Sequence, residues 1–361
     1  MMTETAFISD LAIPPGEYLE EVLEDVDISQ AELARRMGRP PQAINEIVKG
    51  EKAITPETAL QLEQVLGVSA QFWSKLETEY RLILAKKQQL EEIKTEENLL
   101  CKFPYLELSK LNLVKKTSDK LKKVISLRVF FGVSSLNNIR TVKEFAPAFR
   151  QHEKNTVSHE SLASWLRAGH RMADDADVEL FCKEKLKFSI AKLRALTNIV
   201  EPNELIKEIK KVLAECGVVL ALAPTFPRSY TTGATFWLNN NKAVIMMSLR
   251  GAWSDIFWFS LFHEIGHILL HDKRVTFLEN GKLDPQYQKQ EKEADTFAQT
   301  ALIPVTDYNI FLSNSDFSSN AIKAFADTIG IFPGIITGRL QHDRKLLHTI
   351  HYHRVRYKWN V

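Results

Sequence analysis

From Pro15 to about Tyr80, apolar residues recur at helical spacing in short blocks, and no strand-like alternation interrupts them. The stretch predicts a compact helical domain over residues 1–80. Its punctuation is explicit. Ser29-Gln30-Ala31-Glu32 is a capping box, and Gly38 ends the helix it opens. Thr55-Pro56 provides an N-cap followed by proline at the first helical position, and Gly67 closes that helix. Residues 74–98 are rich in helix formers and mixed charge without glycine or proline, which predicts one long helix leaving this domain. Residues 81–200 therefore read as a helical linker and middle region, with few motifs between 101 and 200.

The texture changes near residue 203. A helical pattern at 203–215 precedes three apolar runs, Val218–Leu222, Ala234–Leu238 and Ala243–Met247, the last two separated by Asn239-Asn240-Asn241. Short apolar runs about an Asn-rich turn predict strands and a hairpin. Two long helical patterns follow, at about 254–271 and 286–302, and a last one covers about 318–330 before Pro333. Residues 201–361 form the third predicted region. The chain has no internal repeat.

Composition narrows the class. The 361 residues are 45% hydrophobic and 25% charged, enough to bury cores in two or three domains. The start of the chain is polar and acidic and no 18-residue apolar run occurs, so export, membrane insertion and a membrane partner are not expected and the cytoplasm is. Cys101, Cys182 and Cys216 lack C-x-x-C spacing and read as reduced thiols. The net charge of +2 conceals an asymmetry: residues 1–80 hold 6 Lys/Arg against 15 Asp/Glu, a net −9. Five of those bases, Arg35, Arg36, Arg39, Lys49 and Lys52, fall between 35 and 52, which leaves room for a local basic face.

Helices at about 29–37 and 41–49, joined across Gly38, share a core of Leu33, Ala34, Met37, Ile44, Ile47 and Val48. Gln42, Asn45, Glu46 and Lys49 then point outward from the second helix. Amide side chains such as Gln42 and Asn45 suit bidentate bonds to adenine in the major groove, while Gln30, Arg39 and Lys49 suit phosphates. A helical bundle for protein contacts is the competing reading. The run Pro15-Gly16-Glu17, Ser29 to Gly38, Ala43 to Ile47 and Ala53 to Ala59 through Phe72-Trp73 resembles the HigA branch of the phage-repressor-like helix-turn-helix family, over roughly residues 11–80. Pro40-Pro41 departs from the pattern and removes two amide donors. The resemblance implies a homodimer on double-stranded, palindromic operator DNA, and an antitoxin role where a toxin partner exists.

His263-Glu264-Ile265-Gly266-His267 carries the second candidate chemistry. On a helix the two histidines stand four residues apart on one face and can bind one Zn²⁺, with Glu264 beside them as catalytic base toward a water. The motif lies in an apolar helix, Ile256 to Leu270, where burying three unpartnered polar side chains is costly. A third metal ligand is required. His271 stands about 12 Å along the axis from His263, too far for a straight helix, and reads as a helix-end or supporting residue. On the next helix Glu291 and Glu293 flank the core stripe Ala294, Phe297, Ala298 and Ala301, and periodicity does not choose between them. Glu291 with Asp295 one turn later suits the arrangement of thermolysin-like enzymes. Phe259 to His271, Glu291 to Ala298, Leu302-Ile303-Pro304, Ile331 to Ile335 and Gly338-Arg339-Leu340 resemble the ImmA/IrrE metallopeptidase family, over roughly 200–345. That resemblance implies Glu293 as the third ligand, with His263 and His267, and cleavage of a repressor as the activity. The strand Ala243–Ser248 is expected to offer an edge to an extended substrate. The segment from His342 to Lys358, with histidines at 342, 348, 351 and 353, reads as a solvated basic tail rather than a second metal site.

The expected fold is multidomain and mainly α: an N-terminal helix-turn-helix bundle, a helical middle, and a C-terminal α+β zincin-like domain with a small sheet and the H-E-x-x-H helix. The expected function is a HigA-like transcriptional regulator carrying a zinc endopeptidase that cleaves itself or a partner regulator. The alternative is a non-catalytic antitoxin or autorepressor whose C-terminal domain senses a ligand or binds a toxin.

Overall fold

Helix starts in the N-terminal part follow the caps written in the sequence. In the computed structural model, which describes residues 12–145, 158–229, 231–248, 253–271, 277–278 and 285–357, α1 spans Pro15–Asp25, α2 Gln30–Arg36, α3 Pro41–Val48, α4 Pro56–Leu66 and α5 Ala70–Thr95. The Glu32 amide donates to Ser29 Oγ at 3.2 Å, and the Thr58 amide to Thr55 Oγ1 at 3.3 Å. The other half of the capping box is redirected: the Glu32 carboxylate pairs with Arg35 at 2.6 Å and Arg36 at 2.9 Å, guanidinium partners that outbid a neutral amide. Gly38 and Gly67 take φ of +62° and +76°, the left-handed conformation that ends a helix at low steric cost.

Leu19, Leu33, Ile44, Ile47, Leu62 and Trp73 form the centre of this unit's core. Gly16 is required by close approach: a Cβ there would lie 2.0 Å from the Val48 carbonyl oxygen, so α1 rests backbone against backbone on the end of α3. The base of α5 is tied to the chain beyond α3 by a buried carboxylate. Glu77 accepts from the Ile54 amide at 3.0 Å and from Arg81 Nε at 2.7 Å, and Arg81 reaches the Gly50 carbonyl at 3.3 Å. These contacts hold the end of α3 in place.

Two compact units make up the chain, Met1–Glu96 and Glu97–Val361. The long α5 thus belongs to the first unit, and the middle region falls with the C-terminal region rather than forming a separate body. The second unit comprises α6 (Tyr105–Lys110), α7 (Lys120–Phe131), α8 (His159–Asp174), α9 (Lys183–Ala195), α10 (Pro202–Ala214), β1 (Val218–Ala223), β2 (Gly233–Asn239), β3 (Lys242–Ser248) and α11 (Ser254–Leu270). It continues with β4 (Phe277–Leu278), α12 (Pro285–Leu302), α13 (Val305–Ser313), α14 (Ser319–Ile329) and α15 (Pro333–His342).

The sheet explains the difference in boundaries. Its order is β1-β3-β2-β4, with β1 parallel and β2 antiparallel to β3, and β4 pairing with Ala234 and Thr235. Strands whose successive residues are all apolar must be covered on both faces. Ala243, Ile245 and Met247 face the core built with α10 and α11. On the opposite face Met246 meets α8 so closely that a Cβ at Gly169 would lie 2.3 Å from its sulfur, and His170 stacks on Phe236 at 4.1 Å. Lys242 closes the arrangement by donating to the α8-end carbonyls of Ala173 and Ala176. A helix from the middle of the chain is therefore the second cover of the sheet. The same order places β3 between two strands, so the edge expected of Ala243–Ser248 is already occupied.

Among the described residues, no single helix is long and apolar enough to cross a membrane. Because α8 buries one face of the sheet, residues 97–361 expressed alone should unfold in a single cooperative thermal transition. Residues 201–361 should expose that face and aggregate or melt without cooperativity; equal cooperativity of the two fragments in calorimetry would contradict the role given to α8.

Candidate metal centre and nucleic-acid interface

α11 is apolar on nearly every side, and Trp258, Leu261, Phe262 and Ile265 are fully buried in the core of the second unit. Three ionisable side chains share that burial: His263, Glu264 and His267 are 5%, 1% and 2% exposed. Such groups are retained in a core only when partners or a metal compensate their desolvation. The partners come from α12, which runs antiparallel beside α11. Gly266 permits the approach: a Cβ there would meet the Ala294 backbone at 3.2 Å.

Glu291 is the α12 residue that meets both histidines. Its oxygens lie 3.5 Å from His263 Nε2 and 3.4 Å from His267 Nε2, and the two Nε2 atoms are 2.9 Å apart. Glu293, the residue that family resemblance implied, lies elsewhere: its Oε2 is 3.1 Å from His271 Nε2 and its Oε1 3.8 Å from Lys289. The reason is helical phase. Residues 291 and 293 are about 200° apart around α12, so only one can face the histidine pair. Asp295, one turn after Glu291, reaches His263 Nδ1 at 2.9 Å. This is the Glu291 and Asp295 arrangement that residue spacing left open.

Each imidazole is backed on its far nitrogen. His263 has Asp295, while His267 Nδ1 is 3.0 Å from His271 Nδ1, with Glu293 behind that ring. Such outer partners set the tautomer and aim the other nitrogen. Burial disfavours charge on His263, but Asp295 and Glu291 outweigh it and raise its pKa to about 10. At His267 burial dominates, aided by the neighbouring His263 charge against the pull of Glu291, and its pKa falls to about 4. Burial also works against charge on Glu291, yet the two imidazoles bring its pKa down to about 2.

The donor set fits a metal ion. His263, His267 and Glu291 each offer one atom within 4.8 Å of the others. The observed separations of 2.9–3.5 Å bracket the roughly 3.3 Å between ligands of a tetrahedral zinc with bonds of about 2.0–2.1 Å. Glu291 Oε1 is also a buried oxygen without a hydrogen-bond donor among the described residues, an atom that a cation would satisfy.

Glu264 lies on the sheet side of the pair. Thr235 Oγ1 donates to its Oε2 at 2.6 Å, and Gly233 leaves space for the other oxygen, since a Cβ there would be 2.3 Å from Oε1. Both residues were missed in the sequence, where Thr235 read as an ordinary strand position and Gly233 lay just before the predicted run. The only signal was their alternation on one face of β2.

The expected solvated tail holds only in part: His342, Arg344, Lys345 and His348 are exposed, whereas the stretch that follows packs against the second unit. Ser254 donates its amide to the Val355 carbonyl at 2.9 Å, and Trp258 Nε1 lies 3.2 Å from the Tyr357 hydroxyl. Arg354 forms a bidentate pair with buried Asp255 at 2.9 and 2.8 Å. His351 stacks on Trp253 and His353 bonds Ser319, so these histidines do not gather at a metal; Lys358 lies outside the described residues.

In the first unit, Gln42 and Asn45 are exposed on α3, and Lys49 is exposed at its C-terminal cap. Gln42 donates to Glu46 at 3.0 Å, Gln30 to Glu20 at 3.1 Å, and half-buried Arg39 to Gln61 at 2.6 Å. The α2–α3 pair, with α3 presented to solvent, is a helix-turn-helix, and the second unit has the α+β build of a metallopeptidase domain.

Comparison with known proteins agrees with both descriptions. Residues 19–73 match the helix-turn-helix family and residues 254–324 the Peptidase M78 family, described as the IrrE N-terminal-like domain. The HTH-type transcriptional regulator YddM of Escherichia coli K12 is 36% identical over 73 residues, 20% of this chain and 78% of that protein. Virulence-associated protein I of Dichelobacter nodosus is 40% identical over 79 residues, 22% of this chain and 73% of its own length. Among solved structures, the Pseudomonas aeruginosa antitoxin HigA with the higBA promoter is 37% identical, covering 24% of this chain and 95% of that one, with a TM-score of 0.23. A HigA-family addiction module antidote protein from Coxiella burnetii is 34% identical, over 24% of this chain and 94% of that one, with a TM-score of 0.22. The chain belongs to the helix-turn-helix transcriptional regulators through its first unit and carries a Peptidase M78 domain in its second.

Arg354→Ala would strand a buried Asp255 carboxylate beside the start of α11. The variant should lose about 3–5 kcal/mol of stability in urea unfolding of the second unit; a loss under about 1 kcal/mol would mean the pair is not structural.

Proposed function

We propose that this protein is a cytoplasmic, DNA-binding transcriptional regulator of HigA type whose second unit is a zinc-dependent endopeptidase, cleaving itself or a partner regulator. The observation that carries the peptidase assignment is the convergence of His263, His267 and Glu291 at one point, with Glu264 buried beside them. In this reading the third ligand is Glu291. Glu293 and His271 orient His267, and Asp295 orients His263.

A bound zinc ion would supply Lewis acidity for a peptide carbonyl and a more acidic water. The chain's own part is to place and move protons. Thr235 fixes the Glu264 carboxylate, which takes a proton from water and delivers it to the departing amine. Asp295 accepts a hydrogen bond from His263 Nδ1–H, which would hold the neutral ring, once a cation displaces the second proton, with its Nε2 lone pair toward the ligand point.

For the regulator half, the family match and the exposure of Gln42, Asn45 and Lys49 support α3 as the reading helix, with Gln30 and Arg39 at phosphates. A homodimer would place two such helices on a palindromic operator. The curated relatives are matched over 20% and 22% of this chain, so a second reading stands beside the first: a non-catalytic antitoxin or autorepressor whose second unit is a sensor or a toxin-binding module.

Elemental analysis of protein purified without added metal should give about one zinc per chain in the wild type and in Glu293→Ala, and none in His267→Ala or Glu291→Ala. The reverse behaviour of the two glutamates would return the ligand to Glu293. Asp295→Ala should keep the site but weaken zinc binding by about 10–100-fold in a competition titration.

Glu264→Gln should retain zinc and fold while abolishing cleavage. If gene regulation in cells is unchanged by that substitution, the non-catalytic reading replaces the peptidase.

On operator DNA, Asn45→Ala should cost about 1–3 kcal/mol of discrimination between cognate and altered sites. Lys49→Ala should weaken all sites alike and reduce the logarithmic salt slope by about one, measured by gel shift across salt.

A further inference from the structure

A cavity of about 220 Å³ opens between α11, α12 and α15, and nothing in the proton-transfer account uses it. Its apolar wall is made by Ile256 and Phe259 of α11, Leu302 of α12, Ile303 just beyond it, and Ile335 of α15. It is larger than the roughly 150 Å³ of an engineered apolar cavity that holds benzene.

The cavity adjoins the metal cluster. Phe259 stands one helical turn before His263, and the two rings are 6.3 Å apart. On the antiparallel α12, Gln299 lines the cavity one turn beyond Asp295 and two turns beyond Glu291. Thr232 lines it from the sheet side and directly precedes Gly233, the residue against the Glu264 carboxylate. The cavity thus begins one helical turn from the histidines and Glu264.

Its chemistry selects the occupant. The ionised side chains at its wall are already paired: Asp255 with Arg354 at 2.8 Å, and Arg339 with Asp343 at 2.8 Å. His342 lies 2.9 Å from the same Asp343 carboxylate. A charged guest would be desolvated without a counter-charge, whereas a leucine- or phenylalanine-sized group would exchange water for apolar contacts. The neutral polar residues at the wall are Thr232, Ser260 and Gln299, which add no charge to it.

We propose that this cavity is the specificity subsite of the second unit, taking a large neutral apolar side chain next to the scissile bond of an extended protein segment. The proposal rests on the peptidase reading, and it names the substrate class: chains with an exposed leucine, isoleucine, methionine or phenylalanine at the cut. Ile256, half-exposed at the rim, is the residue whose enlargement would close the subsite without touching the histidines or Glu264.

Two measurements test it on the full chain loaded with zinc. In the first, a mixed peptide library is digested and the cut sites are sequenced. The wild type should favour leucine-sized apolar residues at one position flanking the bond. Ile256→Trp should move that preference to alanine, glycine and serine, with about a tenfold or larger fall in kcat/KM for leucine. Ile303→Ala, which enlarges the cavity, should move it toward aromatic residues and keeps the test open if the tryptophan variant fails to fold.

The second needs no turnover. Calorimetric titration of the Glu264→Gln protein with acetyl-Ala-Leu-Ala-amide, acetyl-Ala-Ala-Ala-amide and acetyl-Ala-Asp-Ala-amide should show the leucine peptide binding about tenfold or more tightly than the others, an advantage that Ile256→Trp removes. Cleavage without an apolar preference, or equal binding of the three peptides, overturns the subsite and leaves the peptidase reading standing. A leucine advantage in binding with no cleavage of any peptide overturns the peptidase reading and leaves the cavity as a peptide-binding site.

Discussion

Burial of two imidazoles and two carboxylates within the apolar packing of α11 against α12 is the constraint on which the second unit depends. His263, Glu264 and His267 occupy core positions where aliphatic residues would cost nothing. Their retention requires compensation from every direction, and the structure supplies it. Glu291 and Asp295 answer from α12, Thr235 from the sheet, and His271 from the end of the same helix. The small residues follow from the same demand. Gly266 lets α12 approach closely enough for its carboxylates to reach the rings, and Gly233 lets the sheet approach Glu264. The same packing brings three possible ligand atoms, His263 Nε2, His267 Nε2 and a Glu291 oxygen, to within 2.9–3.5 Å of one another, with Glu291 Oε1 lacking a hydrogen-bond donor among the described residues.

The sheet and the terminal segment hold α11 where that chemistry needs it. β2 and β3 are apolar on both faces, so α11 can cover one only if another helix covers the other, and α8 does so with Gly169 pressed on Met246. The start of α11 is fastened by the segment around Arg354, whose guanidinium pairs with Asp255 and lies over the Trp253 ring at 4.3 Å. Gly338 makes room for that pair, since a Cβ there would lie 2.3 Å from the Asp255 carboxylate. Part of a basic, histidine-containing stretch thus serves as a fastener, with Arg354 paired to one buried aspartate and Arg354 and Arg356 over one aromatic ring.

The first unit solves a different problem, the presentation of a short helix. α3 has eight residues and two prolines at its start, too little to be stable alone, and it is held by the core beneath it and by α1 at Gly16. Glu77 and Arg81 anchor the chain that follows it to α5. An acidic unit can therefore still present the exposed amides of Gln42 and Asn45 with Lys49 beside them, because its acids are distributed over other surfaces or already paired, as Glu32 is with Arg35 and Arg36.

What the sequence determined by itself is local. Caps at Ser29 and Thr55, the left-handed glycines, the apolar stripe of the helix-turn-helix, the hairpin and the i, i+4 histidines depend on neighbours within one or two turns, and linear spacing encodes such neighbours directly. The choice between Glu291 and Glu293 depends on the rotation of α12 against α11, which the stripe of Ala294, Phe297 and Ala298 leaves symmetric. Packing through Gly266 broke that symmetry and turned Glu291 inward. Packing of α8 on the sheet, the interior place of β3, the grip of Arg354 on Asp255 and the support of Glu264 by Thr235 join residues far apart in the chain. Tertiary structure alone decided these, because desolvation and close packing act on whichever groups the fold brings together, and a linear pattern does not record that meeting.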